Sequence, residues 1–440
     1  MRKSLLLLCL TCSLLRAADD PKLTEAWTPV PPVVTPGLNQ AAPSDAIVLF
    51  DGTNLNSWVT EKGDTPGWTI ENGELTIKPG SGAIVTKQSF ADCQLHLEWR
   101  APAVVVGDGQ GRGNSGIKLQ SRYEVQVLDS YNNPTYVNGQ AGAIYKQHIP
   151  EVNVSRPPGE WQAYDIIYSA PRFNNDGSVK TPAFITVLQN GVLVQNHVEI
   201  KGTTENRGQP KYEKHPFQQP LLLQEHKNPV SFRNIWIREL GVNHLLNGVD
   251  THGWYSFLNK LGKNSDPENN FKIEDGLLHV KGQYFGYLAT EQSYENYYLK
   301  VVFKWGQNQY APRATGKRDS GILYHCGADI VDKVWPKSIE CQVQEGDCGD
   351  YWCVDGATTD SPNPSLIEWN MKHIPRTADF ERPSGQWNTI EIICNGTQTE
   401  HYVNGHLVNS GTNANVTSGK ILLQSEGAEV YFKSAELIHY

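Results

Sequence analysis

The chain has almost no methionine, no excess of positive charge and, beyond its first residues, no long apolar run. Only 2 Met occur among 440 residues, against 12 Trp and 19 Tyr. A formal net charge of −9, with no basic stretch to offset it locally, argues against nucleic acid and anionic membrane surfaces as partners, since both need a basic footprint. No segment past the N-terminus is long and apolar enough to span a bilayer. A sustained helical period is missing as well. Past position 12 the cysteines are Cys93, Cys326, Cys341, Cys348, Cys353 and Cys394, and none forms a C-x-x-C pair, which leaves little case for zinc.

What is present begins with Met1-Arg2-Lys3, a short apolar stretch and Ala17-Ala18. A basic start, a brief apolar core and small residues predict a signal peptide over residues 1–18 and a secreted or periplasmic chain. An outer-membrane lipoprotein on Cys12 is the rival outcome. Export permits disulfides, so one or two bridges are expected in the second half, with Cys348 and Cys353 as the candidate pair. Residues 19–45 are rich in Pro and small residues and read as an extended linker. Beyond them come short alternating runs such as Leu95-His-Leu-Glu-Trp-Arg and Tyr123-Glu-Val-Gln-Val-Leu, with Gly, Asn and Asp between runs. Asn190-Gly191 and Asn404-Gly405 are hairpin signals. The fold class is all-β.

The chain also repeats itself. Leu49-Phe-Asp-Gly with Trp58 is echoed by Leu245-Leu-Asn-Gly with Trp254, and Asn114-Ser-Gly-Ile by Asp319-Ser-Gly-Ile. Glu124-Val-Gln-Val matches Glu340-Cys-Gln-Val, Gly159-Glu-Trp matches Gly385-Gln-Trp, and Leu222-Leu-Gln matches Leu422-Leu-Gln. So many matches in one order predict two diverged copies of one domain, at 46–241 and 245–440. Strands of this number and length suit two tandem jelly-roll β-sandwiches.

The ordered set Phe50-Asp-Gly, Asn114 to Ile117, Glu124 to Asp129, Gly142-Ala-Ile-Tyr145, Gly159-Glu-Trp161 and Phe232-Arg-Asn-Ile235 resembles the 3-keto-disaccharide hydrolase family, over nearly the whole of both domains. The resemblance implies a concanavalin A-like jelly roll that cleaves glycosides already oxidised to a ketone at C3. The second copy departs from the pattern: Asp319 replaces the Asn, Gln424-Ser-Glu replaces Gln224-Glu-His, and Gly-Ala-Ile-Tyr is absent.

Such a ketone acidifies the hydrogen at C2. A base can remove it, and the group at C1 then leaves by β-elimination, with water adding afterwards if the net result is hydrolysis. The route needs one base, an electrophile at the C3 oxygen and an acid for the leaving group. Positions two apart in a strand share a face, so Glu124 pairs with Gln126 and Glu340 with Gln342 as polar sugar platforms, opposite Val125, Val127 and Val343. The first domain is the expected catalytic one. His226 or Asp129 is the expected base, and Tyr145, Lys146 or a divalent cation the electrophile, with Glu124 as a further catalytic candidate. Glu124, Asp129 and His226 together could hold Ca²⁺. Gln224 shares a face with His226 by strand parity, Asn114 joins the same site, and Arg233 is either a substrate contact or a structural ion pair. Two rivals stand beside this reading. A laminarinase-like glycosidase would use Glu-x-Asp-x-x-Glu on one strand, which Glu124-x-Gln126-x-x-Asp129 only approximates. A double sandwich that binds glycans without chemistry is the other, with the second domain as binder.

Overall fold

A computed structural model describes residues 21–27, 30–327 and 332–440. The expected signal peptide lies outside these residues. Residues Met1–Ile47 form one unit, whose described part carries a single 3-10 turn, Pro21–Thr24. Val48–Tyr440 form the other. Among the described residues no helix is long and apolar enough to cross a membrane.

The larger unit holds two tandem jelly-roll sandwiches. In the first, an eight-stranded sheet centred on Phe184–Gln189, Gln162–Ser169, Cys93–Arg100 and Ser231–Glu239 packs on a five-stranded sheet. The smaller sheet runs Trp58–Thr60, Ile84–Phe90, Gln219–Leu223, Ser115–Leu119, Tyr123–Val127. Alternation builds the interface between them: Tyr164, Ile166 and Tyr168 from one sheet and Ile117, Val125 and Val127 from the other are fully buried. The Tyr164 hydroxyl donates to the Gln126 carbonyl at 2.7 Å and ties the layers together.

The second sandwich repeats the plan with additions. An eight-stranded sheet centred on Ala428–His439, Tyr297–Gln309 and Asn388–Asn395 faces a nine-stranded one. The larger sheet includes Gly286–Thr290, Lys420–Ser425, Asp319–Cys326, Ser338–Gln344 and Tyr351–Val354, and ends in the hairpin Leu366–Glu368 and Met371–Ile374. Leu299, Val301 and Phe303 meet Ile322, Ile339 and Val343 in one core.

The repeated motifs have repeated causes. The Trp58 indole donates to the Leu49 carbonyl at 2.8 Å, and the Trp254 indole to the Leu245 carbonyl at 2.6 Å. The Ser115 hydroxyl bonds the Gln224 carbonyl at 2.7 Å, and Ser320 bonds that of Gln424 at 2.9 Å. Asn190 and Asn404 sit at φ +53° and +50°, each followed by a glycine near φ +80°, as a type I′ hairpin turn requires.

Two expectations fail here. Cys348 and Cys353 form no bridge; all six cysteines of the described residues are free and buried. Cys341, Cys348 and Cys394 lie in the main core of the second sandwich, where a thiol packs as a small hydrophobe. Residues 224–226 do not continue a strand, which ends at Leu223, so the parity argument for Gln224 and His226 does not apply.

The sandwiches share an interface. Phe217 packs on Tyr298 (4.7 Å between centroids) and on Tyr440 (5.7 Å), with the Arg172 guanidinium over its ring at 4.5 Å. Lys214 pairs with the buried Glu400, which also accepts from the Tyr402 hydroxyl at 2.7 Å. Asn175 bonds Gln398 at 3.2 Å and the Gly411 carbonyl at 3.2 Å.

Candidate functional site

The strands carrying the two Glu-x-Gln motifs are buried on both faces, which a solvated sheet face would not be. Val125 and Val127 face the core, while Glu124 and Gln126 on the opposite face are only 4% and 1% exposed. In both copies the glycine of Ser-Gly-Ile makes room for this glutamate. A Cβ on Gly116 would overlap the Glu124 carboxylate, and one on Gly321 would overlap Glu340 Oε1 and Gln424 Oε1.

In the second sandwich this face lines a cleft of about 730 Å³, within the range of small-molecule sites. Its floor holds Asp319, Glu340, Gln342 and Glu426, and Arg313 reaches over it from the preceding loop. Arg313 Nη2 lies 2.5 Å from Asp319 Oδ2 and 2.5 Å from Glu426 Oε1. Gln344 donates to Asp319 at 2.7 Å, and the Trp335 indole bonds Glu426. Burial pushes all three acids up, and neighbouring carboxylates add to it at two: Glu340 lies far above the ordinary carboxylate range, Asp319 is pushed up to about 8, and Glu426 is raised by burial but opposed by Arg313 and Trp335. Several buried polar atoms have no protein partner: Arg313 Nε, Asp319 Oδ1, Gln342 Oε1 and both amide atoms of Gln424. Buried polar groups are normally satisfied, so the three orphan atoms on cleft-lining residues, Arg313, Asp319 and Gln342, mark a place for a polar ligand.

The walls are aromatic. Glu340 pairs across the sheet with Trp352, and Trp352 with His373. Cross-strand neighbours stand on one face, so carboxyl, indole and imidazole form a row about 5 Å apart per strand. Trp352 stacks on His373 (4.1 Å, 2°) and on Trp369 of the hairpin tip (5.5 Å, 11°). Phe285 and Trp335 complete the opposite side. Trp335 sits on the connection between Asp319–Cys326 and Ser338–Gln344, which in the first sandwich is the short turn after Leu119.

The first sandwich holds all four residues expected to be catalytic, His226, Asp129, Glu124 and Tyr145, and the Glu124 charge acts on Tyr145. Glu124 lies 3.5 Å from Lys118 Nζ, and burial raises its pKa against that pull. Gln126 contacts the Gln110 side chain at 3.1 Å. The Tyr145 hydroxyl meets that of Tyr136 at 2.8 Å, and Lys146 donates to the Asn206 carbonyl at 2.6 Å; burial raises the Tyr145 phenol. Asp129 is not free as a base: Arg112 Nε holds it at 2.6 Å and the Tyr131 amide at 3.2 Å. Asn114 spends its amide on the Gln110 carbonyl at 2.7 Å. His226 sits exposed in the loop after Leu223, and Gln224 beside it contributes its backbone to Gly116 and Ser115. Arg233 stands on the other sheet, bonded to Glu98 at 2.7 Å and stacked over Trp161 at 4.1 Å, so it is the structural ion pair. Glu124, Asp129 and His226 do not converge as a calcium set. Among the described residues no group of three or more His, Cys, Asp or Glu is placed to hold a metal ion.

The residues missed were Arg313, Asp319, Glu426 and the three tryptophans. Asp319 and Glu426 were recoverable, because the repeat places them opposite Asn114 and His226. Trp335 and Trp369 lie in segments without a counterpart in the first copy, where the repeat gives no guide.

A family described as the 3-keto-alpha-glucoside-1,2-lyase-like domain matches residues 45–238 and again 241–438. A solved structure from Parabacteroides distasonis, named only as a candidate glycosyl hydrolase, is 55% identical over 50% of this chain and 96% of its own, with a TM-score of 0.49. A second from that organism, named in the same way, is 20% identical over 46% and 94%, TM-score 0.32. A Bacillus licheniformis beta-glucanase is 13% identical over 46% and 99%, TM-score 0.32. No curated protein matches the chain.

Proposed function

As the chain belongs to the family of 3-keto-alpha-glucoside-1,2-lyase-like domains, twice over, and is a carbohydrate-acting, glycosidase-like protein, we propose that it cleaves 3-keto glycosides in the cleft of the second sandwich. The observation that carries this reading is the cleft's set of unpartnered polar atoms beside carboxyls of unequal proton affinity.

The roles follow from those environments. Glu426, whose carboxyl Arg313 and Trp335 draw towards the ionised form against the effect of burial, serves as the base that takes the C2 hydrogen. Arg313 stabilises the enolate that forms at the C3 oxygen, worth about 2.7–4 kcal/mol for a preorganised donor. Glu340, whose pKa burial and the neighbouring acids Glu426 and Asp319 raise well above the ordinary carboxylate range, gives its proton to the leaving oxygen as the C1–O bond breaks. Water adding across the resulting double bond turns the elimination into net hydrolysis. Gln342 presents its amide to the ring hydroxyls. Glu426 occupies the position that His226 holds in the first copy, so the base moves with the repeat rather than away from it.

Paired-carboxylate glycosidase chemistry is less well supported. The last acid such a motif needs, Glu345, is bonded to Arg318 at 3.1 Å and lies outside the cleft lining.

The test is to incubate the protein with a glucoside and with its 3-keto derivative. Cleavage of the oxidised substrate alone is expected, and Glu426→Gln and Glu340→Gln should each lower that rate about 10²–10⁴-fold. Turnover of the plain glucoside would put an ordinary glycosidase in its place, and binding of both without turnover a carbohydrate-binding protein.

A further inference from the structure

The cleft is larger than one sugar ring, and its polarity is uneven. The charged groups Arg313, Asp319, Glu340 and Glu426, and the orphan atoms of Arg313, Asp319 and Gln342, belong to the floor of the cleft. Across Trp352 the lining changes to Val354, Trp369 and Met371, with Asp355 and Asn370 at its margin. Trp369 is 76% exposed although it is one of the bulkiest apolar side chains, and Leu366 and Ile367 on the same hairpin are 48% and 74% exposed. Leaving such a ring in water is unfavourable unless something covers it in use.

The hairpin holds its tip in place. Trp369 and Asn370 both take left-handed φ, +47° and +62°, where side-chain-bearing residues are uncommon. His373, below them, lies 2.7 Å from Asp350 and 3.2 Å from Glu368, so both ends of its ring face carboxylates and its pKa is raised despite burial. The result is a fixed, near-parallel stack of His373, Trp352 and Trp369 that starts next to Glu340 and runs outward.

We propose that this stack is a leaving-group subsite for a planar aromatic aglycone. The inference rests on the cleavage reading above and adds the class of group departing from C1. A pyranose subsite brings hydrogen-bonding side chains around its aromatic platform, whereas the outer wall is chiefly apolar surface. The position agrees with the chemistry. Glu340 gives its proton to the leaving oxygen, and Trp352 is its neighbour across the strand pair, so the group attached to that oxygen lies over the stack. A phenol is also a good leaving group for β-elimination, which suits a site with a single weak acid.

Trp369→Ala is the test, since an exposed side chain can be removed without disturbing the core. Rates are measured on 3-keto phenyl glucoside and 3-keto methyl glucoside. The wild type should prefer the phenyl compound in kcat/KM, and the variant should reduce that preference about tenfold. An unchanged preference overturns the subsite. Calorimetric binding of unoxidised phenyl and methyl glucosides separates this inference from the chemistry. Tighter phenyl binding, weakened in Trp369→Ala, upholds the subsite even if neither keto substrate is cleaved, and equal affinity for both glucosides overturns it.

Discussion

At the scale of single residues, the molecule's titration is set by burial. Glu340 is 6% exposed and its folded-state pKa lies far above the unfolded value. A raised carboxyl contributes fully when protonated, below the unfolded pKa, and that contribution is lost as pH rises through the folded one. Glu340→Gln should therefore melt like the wild type at pH 4 and higher than it at pH 8, while losing activity. Thermal melts at the two pH values check this, and a variant less stable at pH 8 contradicts it. The same acids shape the rate profile. Burial and the nearby Glu426 push Asp319 up to about 8, so kcat/KM should decline at alkaline pH as its carboxyl ionises and its charge opposes the developing enolate.

Buried histidines act in the opposite sense. Desolvation lowers His215 and His325 to about 4 and His401 to about 3. His401 accepts at Nε2 from the Tyr324 hydroxyl at 2.9 Å and donates its Nδ1–H to the Gly349 carbonyl at 3.1 Å. His215 stands in the same way between Tyr123 and the Pro216 carbonyl. Each group favours folding fully above its unfolded value near 6.5, and that support fades as pH falls from 6.5 towards 4. Denaturant midpoints should drop across that window, and a flat profile would count against neutral buried rings.

At the scale of elements, the pivotal feature is the close approach of the Asp319–Cys326 and Ser338–Gln344 strands. Gly321 has no left-handed φ to protect, so alanine fits its backbone, and its added methyl presses most closely on the ends of the Glu340 and Gln424 side chains, which must shift. Gly321→Ala should fold with a melting temperature within a few degrees of the wild type, yet lower kcat about 10²-fold by moving the acid from the leaving oxygen. A wild-type rate in this variant would remove Glu340 from the mechanism. The motif Ser-Gly-Ile was visible in the sequence as a repeat. Its purpose was not, because the side chain it accommodates comes from another strand.

At the scale of the molecule, the two sandwiches are joined by a mixed apolar and ionic seam. Lys214→Ala leaves Glu400, 2% exposed, without its cation, at a cost of about 3 kcal/mol. Calorimetry should show the sandwiches melting together in the wild type and separating into two transitions in Lys214→Ala. A single unshifted transition would mean that the seam carries no such energy.

The sequence by itself determined the all-β class, the tandem copies, the hairpin turns at Asn190 and Asn404 and the family. These depend on local periodicity, on residues that tolerate positive φ, and on self-similarity, all of which can be read along the chain. Glu340 and Gln342 were legible for the same reason, as two positions on one strand face. Only the tertiary structure decided where the cleft is. It showed that Arg112 already neutralises Asp129, that Glu98 holds Arg233, and that His226 lies past the end of its strand. It also brought Arg313, Asp319 and Glu426 together from three separate segments, under tryptophans carried by loops that the first copy lacks. A charge's partner depends on which strands lie side by side, and pairing across long separations leaves no trace in the order of residues.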